Sequence, residues 1–399
     1  MNTTLSSSNN HPTFVSMATR NLLPACLLIF LGMLIAVDNS KLVNNFFYAT
    51  LLIPALVTVF RRAITPKPPA ILLGVYLFYV ALSTLWGTGD IIAMLKQMKY
   101  IVYVFAFLVI THQLAAKPGY TLLLASCGLT LGLLLEAHSL YIQISSIGIQ
   151  PWLTQFPRLS KISGPLNAVY LALTIGLFGF ILITSQIKSP WISSLLVCCL
   201  IVMTLPLQSR TLIIALIMAQ GFNLLLQRRL SVFLIWGLIC ITGTVLLVLS
   251  IDRFTSEVHR SGIWLFSIDS LWQNCNIIIG CGNRYDFNIN IDGFYFFNPH
   301  SVILSQLLYG GIIGMTLLCI SLWFIYKAAR QIEIFWLSVF VYCLTSCLTI
   351  GHTILTHPDF LWLITWLPLG LSGILFTSIN HHAAGNRNNE ADTNTAVPV

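Results

Sequence analysis

Long apolar runs dominate the chain and decide what it can fold into. Twelve of them lie at about 22–37, 42–60, 69–86, 91–113, 120–143, 166–184, 190–207, 210–227, 231–250, 301–326, 333–351 and 360–379. About 20 consecutive apolar residues cross the hydrocarbon layer as one helix, which satisfies all of its own backbone groups. The runs therefore predict an all-α polytopic membrane protein of about 12 transmembrane helices. Charged residues make up 8% of the chain, against about 25% in a soluble domain, which excludes a soluble globular enzyme and a disordered chain. The fourth run is the weakest. Lys96 and Lys99 interrupt its first half, which reads as interfacial or as packed inside the bundle.

Basic residues set the orientation, because Lys and Arg favour cytoplasmic loops. With the N-terminus in the cytoplasm, Arg20, Arg61, Arg62, Lys67, Lys117, Lys188, Arg228, Arg229, Lys327, Arg330 and Arg387 fall inside, eleven of the 20 Lys and Arg. The expected layout is a cytoplasmic tail at 1–21 without signal-peptide features, helices 1–9 at 22–250, a large outward loop at 251–300, helices 10–12 at 301–379 and a cytoplasmic tail at 380–399. The other nine, Lys41, Lys96, Lys99, Arg158, Lys161, Arg210, Arg253, Arg260 and Arg284, fall at or near the outer face, against the usual bias. The net charge of +8 thus reflects topology and an outward cationic group, not nucleic-acid binding. The ten cysteines show no metal spacing. Eight lie in apolar runs, where cysteine acts as a small hydrophobe, and only Cys275 and Cys281 sit in a polar segment. A bridge between these two is feasible on the outer side, but spacing alone does not settle it.

The chemistry concentrates where the long loop meets the tenth run, at Asn298-Pro299-His300-Ser301. Pro299 suits a position just before a helix, so His300 is expected near a helix N-terminus, where free N–H groups and the positive helix end favour anions. Gly311-Ile312-Ile313-Gly314 offers a thin face for close helix packing. Arg210, in Gln208-Ser209-Arg210, opens a run, and an arginine at membrane depth usually has a partner or a function.

These residues carry a family resemblance. His300-Ser301, nine residues, then Gly311-Ile312-Ile313-Gly314 resembles the signature of bacterial O-antigen ligases at every fixed position. The Ser209-Arg210 pair resembles the family's Ser-Arg pair, with Ile214 where the family usually has Leu. Arg260-Ser261-Gly262-Ile263-Trp264 followed by Ile279-Gly280-Cys281-Gly282 resembles its Arg-x-x-x-Trp segment and glycine turn, and Ser163-Gly164-Pro165-Leu166-Asn167 its short glycine/asparagine motif. The likeness runs from about residue 20 to 380, and its arginine and glycine pieces are shared with O-antigen polymerases.

The resemblance implies a C-type glycosyltransferase-like fold in the inner membrane of a Gram-negative bacterium, with the active site facing the periplasm. It implies transfer of a glycan from undecaprenyl pyrophosphate to a hydroxyl of lipid A–core, with inversion and with neither a metal nor another cofactor. Membrane lipids are the remaining partners, and the oligomeric state is not specified. Arg210 and Arg260 suit the leaving pyrophosphate, since guanidinium forks match phosphate oxygens and stay charged. His300 suits two roles. As neutral imidazole it is a general base toward the acceptor hydroxyl, the role slightly preferred here, and as imidazolium it is a pyrophosphate contact.

Further substrate-binding candidates are Glu136, able to orient a cation, Arg158 and Lys161 for donor or acceptor phosphates, Arg284, and Trp264 for stacking on a sugar. For each of these a plain surface or interfacial role competes. His352, His357 and Asp359 cluster in the last outer loop without metal-site spacing. Two rivals remain. An O-antigen polymerase would use the same donor but usually carries two sizeable periplasmic loops. A polysaccharide transporter or flippase would be expected to show inverted repeats and midplane charges.

Overall fold

The computed structural model describes residues 14–61, 64–155, 157–159, 166–250, 260–291, 293–351 and 353–378. The chain is mostly helical, and six of its helices are long and apolar enough to cross a membrane. They are α2 (Ser40–Phe60), α3 (Pro68–Gly87), α4 (Ile91–Ala115), α5 (Tyr120–Ile147), α7 (Ala168–Gln186) and α12 (Val302–Ala329). Between them run α1 (Phe14–Ala36), the short α6 (Ile149–Gln155), α8 (Pro190–Met203), α9 (Arg210–Leu226), α10 (Leu230–Ser250) and α11 (Arg260–Asn274). After α12 come α13 (Ile334–Thr349), α14 (Leu361–Ile364) and α15 (Trp366–Leu371). Two short antiparallel pairs complete the fold: β1 (Ile64–Pro66) with β4 (Phe376–Ser378), and β2 (Ile289–Ile291) with β3 (Phe294–Phe296). This is a membrane-embedded helical protein. Large apolar side chains such as Leu195, Leu238, Val202 and Ile312 face outward from its helices, where a soluble protein would place charge.

Local sequence explains the departures from straight helices. In α2, Pro54 has no N–H to give the carbonyl four residues back, and the preceding turn, Tyr48–Leu52, widens to π geometry. The last apolar run, expected as one helix over 360–379, is instead two short buried helices followed by β4. Gly373 (φ 71°) ends α15 in the left-handed region. The chain then extends to pair with β1, where Ile64 faces Ser378 and Pro66 faces Phe376.

Small residues set the helix contacts, as expected where no hydrophobic effect drives helices together. Gly128 and Gly132 of α5 leave room for Phe178 and Ile175 of α7. Gly310 and Gly314 of α12 admit the Tyr79 ring of α3. Buried polar side chains bridge helices. Tyr342 Oη donates to the Leu173 carbonyl at 2.8 Å, Tyr76 Oη to Gln306 Oε1 at 2.6 Å, and Gln220 Nε2 to Ser194 Oγ at 3.0 Å. The aromatic centre is Trp362, in edge contact with Phe47 (5.4 Å) and tilted against Phe107 (5.1 Å).

Candidate active site

Arg210 is placed by its cap. The 3₁₀ turn Leu205–Leu207 ends α8, Gln208 takes a left-handed backbone (φ 45°), and Ser209 accepts from Leu212 N–H at 3.3 Å. Arg210 is therefore the first residue of α9. The serine of the Ser-Arg pair caps the helix, leaving the arginine at its mouth. Arg158 is fastened to the same turn. Its Nε donates to the Leu207 carbonyl at 3.3 Å, Leu159 N–H donates to the Pro206 carbonyl at 3.2 Å, and Gln143 Nε2 donates to the Arg158 carbonyl at 3.1 Å. Lys161 and the segment Ser163-Gly164-Pro165 lie outside the described residues.

Arg260 opens α11 and His300 ends the segment that leads into α12. The peptide N–H of His300 donates to Asn298 Oδ1 at 3.0 Å, its backbone is left-handed (φ 51°), and its ring meets the Phe296 ring edge-on at 5.8 Å. Ser301 then caps α12 by accepting from Leu304 N–H at 3.2 Å. A left-handed non-glycine residue is uncommon and often marks a functional site.

Electrostatics links the three groups, Arg210 to Arg260 and Arg260 to His300. Burial, and then the Arg210 charge, hold the Arg260 guanidinium below its ordinary value. Burial, and then the Arg260 charge, hold His300 below the usual imidazole value. Residues far apart in sequence thus form one half-buried cationic group, in which His300 is neutral at pH 7. Two fixed guanidinium charges beside a neutral imidazole can hold an anionic leaving group and accept a proton in one place.

The other sequence candidates fall into separate places. Trp264 lies one turn along α11 from Arg260, and its Nε1 is buried with no acceptor among the described residues. Arg284 is exposed and left-handed (φ 69°). Its Nε donates to the Gln97 amide oxygen of α4 at 3.2 Å, with the amide turned so that Gln97 also donates to the Leu355 carbonyl at 3.1 Å. Glu136 is buried inside α5, 5% exposed, and its Oε1 has no partner among the described residues. No described contact joins it to the trio. His352 lies outside the described residues, and no described group of three His, Cys, Asp or Glu residues is placed to hold a metal.

Sequence reasoning missed the device that joins the segment after α11 to α12. Cys275 and Cys281 are joined by a disulfide, and the turn they close is lodged in a break of α12. Gly311 has φ 61° and ψ −160°, so it opens the helix and frees backbone groups on both sides. Ile312 and Ile313 donate to the Ile277 and Ile278 carbonyls at 3.0 Å each, while Cys281 and Gly282 donate to the Leu308 and Tyr309 carbonyls at 2.8 and 2.9 Å. Gly280 and Gly311 lie backbone to backbone, so a Cβ on either collides. The expected thin packing face is therefore divided. Gly314 serves helix packing, and Gly311 is the socket for a loop. The wedge is also tied to α3, where Tyr79 Oη and Trp86 Nε1 donate to the Ile279 carbonyl at 3.3 and 3.2 Å and Asn283 N–H donates to Ser83 Oγ at 3.0 Å. It follows α11, which Arg260 opens, and it grips the helix that His300 precedes. The paired cysteines and the adjacent glycines Gly280, Gly282, Gly310 and Gly311 were the available signal.

Fold and site together define a membrane-embedded helical protein with a cationic, histidine-bearing site at one end of the bundle. No protein-family model matches the chain, and no curated protein matches it. Its chemistry is read from the residues themselves.

Proposed function

We propose that the chain is an O-antigen ligase of the Gram-negative inner membrane, transferring a glycan from undecaprenyl pyrophosphate to lipid A–core on the periplasmic face. In this reading the twelve apolar runs form the transmembrane domain, both termini are cytoplasmic, and the 251–300 loop is periplasmic. The convergence of Arg210, Arg260 and His300 carries it. The leaving group is a lipid pyrophosphate, on which negative charge grows as the glycosidic bond breaks. Two guanidinium groups in a partly water-excluded site meet that charge without reorganising. His300, kept neutral by burial and by Arg260, takes the proton of the attacking hydroxyl. The sugar–pyrophosphate bond supplies the free energy, so no nucleotide is required.

Deletion of the gene and complementation test this reading. A strain lacking the protein accumulates long lipid-linked glycan and bare core, and the wild-type chain restores capped core while a well-expressed His300→Ala chain does not. Core bearing single repeat units in the deletion strain would instead assign the chain to the polymerases and overturn the ligase reading.

A further inference from the structure

Lys96 and Lys99 are charges on the membrane-spanning helix α4 that the trio does not use. They lie about 8 and 12 Å along α4 from Ile91, at 1.5 Å per residue. Around them Ile91, Ile92 and Leu95 are exposed apolar side chains. Cations at such depth are retained where they meet a partner. The described residues give neither lysine a carboxylate within ion-pair reach, and nearby acids are engaged elsewhere. Asp90 caps α4 by accepting from Ile92 N–H at 2.8 Å, and Asp359 accepts from Leu361 N–H at 2.9 Å.

Other cationic groups converge on the same end of α4. Lys99 Nζ lies 5.7 Å from the ring centroids of both Tyr100 and Tyr103, a geometry that holds an ammonium while leaving its outward N–H groups open. His357 meets the Tyr100 ring at 6.4 Å and lies within electrostatic reach of Lys96. Arg284 reaches Tyr100 electrostatically and is anchored to Gln97. Gln97 is 3% exposed and binds both Arg284 and the Leu355 carbonyl. One buried amide thus fixes three segments, α4, the turn after the disulfide wedge and the loop after α13.

We propose that Lys96, Lys99 and Arg284 form a second phosphate-binding site, separate from the trio, that holds a phosphate of the acceptor glycolipid. The proposal rests on the ligase reading for the identity of the glycolipid; the site itself rests on the placing of Lys99 and Arg284 about Tyr100, of Lys96 beside His357, and on the Gln97 anchor of Arg284. The trio then manages charge that appears during reaction, and the second site recognises charge the acceptor always carries.

The test uses the purified full chain in nanodiscs of zwitterionic lipid, with lipid A–core and the same glycolipid after phosphatase treatment as probes. Wild-type protein is expected to retain the phosphorylated form at least tenfold better. Lys96→Gln/Lys99→Gln and Arg284→Gln each remove most of that preference, a tenfold change being the scale of one charge-assisted hydrogen bond. Lys96→Arg/Lys99→Arg restores it, which a folding defect would not allow. In transfer assays Lys96→Gln/Lys99→Gln raises KM for the acceptor with little change in kcat. Equal retention of the two forms by wild-type protein, or equal displacement by phosphatidylglycerol, overturns the acceptor site. A wild-type chain that discriminates the phosphorylated glycolipid but transfers no glycan keeps the site and removes the ligase reading.

Discussion

Two cationic regions lie at the same end of this bundle, and they are built differently. The trio is half-buried and stands at or beside helix starts, and a disulfide-closed wedge that follows α11 is hydrogen-bonded into α12. The group on α4 is exposed at Lys96, Lys99 and Arg284 and is tied together through one buried glutamine. The difference follows the work each can do. Charge that develops in a transition state is stabilised best by groups that need not move and are poorly hydrated. A phosphate already carried by a ligand is recognised well by exposed cations that adapt to it. Burial holds His300 and Arg260 of the trio below their ordinary values.

Substitutions should separate the regions by size of effect. His300→Ala is expected to lower kcat by 10²–10⁴, the usual scale for a general base, measured as glycan transfer at saturating acceptor; a loss under tenfold would remove the base role. Arg260→Lys is expected to cost about tenfold or more in kcat/KM, because an ammonium cannot reproduce the guanidinium fork. A neutral result would mean Arg260 supplies only charge. Gly311→Ala puts a Cβ onto the wedge backbone in a left-handed position. It should destabilise by about 2–4 kcal/mol, read as a lowered thermal midpoint in detergent. Opening the bridge by Cys275→Ser/Cys281→Ser should cost less, about 1–3 kcal/mol for so short a loop, and should lower kcat through the wedge while leaving the Lys96/Lys99 phosphate preference intact.

The pH dependence has a definite sign. His300 has a folded-state value below the unfolded value of about 6.5. Between the two, the unfolded chain binds more protons, so stability from this group is fully present above about pH 6.5 and is lost as pH falls through the folded value. A base role places the acid limb of kcat/KM in the same window below pH 6.5. A rate that rises on acidification would assign imidazolium, and hence pyrophosphate contact, to His300.

Much of this was legible in the chain. Hydropathy located the six helices long and apolar enough to cross a membrane, because a membrane span leaves a strong one-dimensional signal. Arg210 and His300 could be chosen because the start of an apolar run and Pro299 announce themselves locally, and Arg260 through the resemblance of its Arg-x-x-x-Trp segment. What stayed hidden depends on long-range pairing. Nothing local says that the Ile277–Gly282 backbone completes a helix broken at Gly311, or that Gln97 joins Arg284 to the loop before α14. The split of the last run into α14, α15 and β4 was hidden for the same reason, since its composition is apolar throughout and only the pairing with β1 makes the chain extend.

Reconstitution of the purified chain with undecaprenyl-pyrophosphate-linked glycan and lipid A–core, with no nucleotide and with chelator present, bears on the whole account at once. The account predicts capped lipid A–core from wild-type protein and none from His300→Ala of equal thermal midpoint. Absence of product from folded wild-type protein, or equal product from the His300→Ala variant, would contradict it.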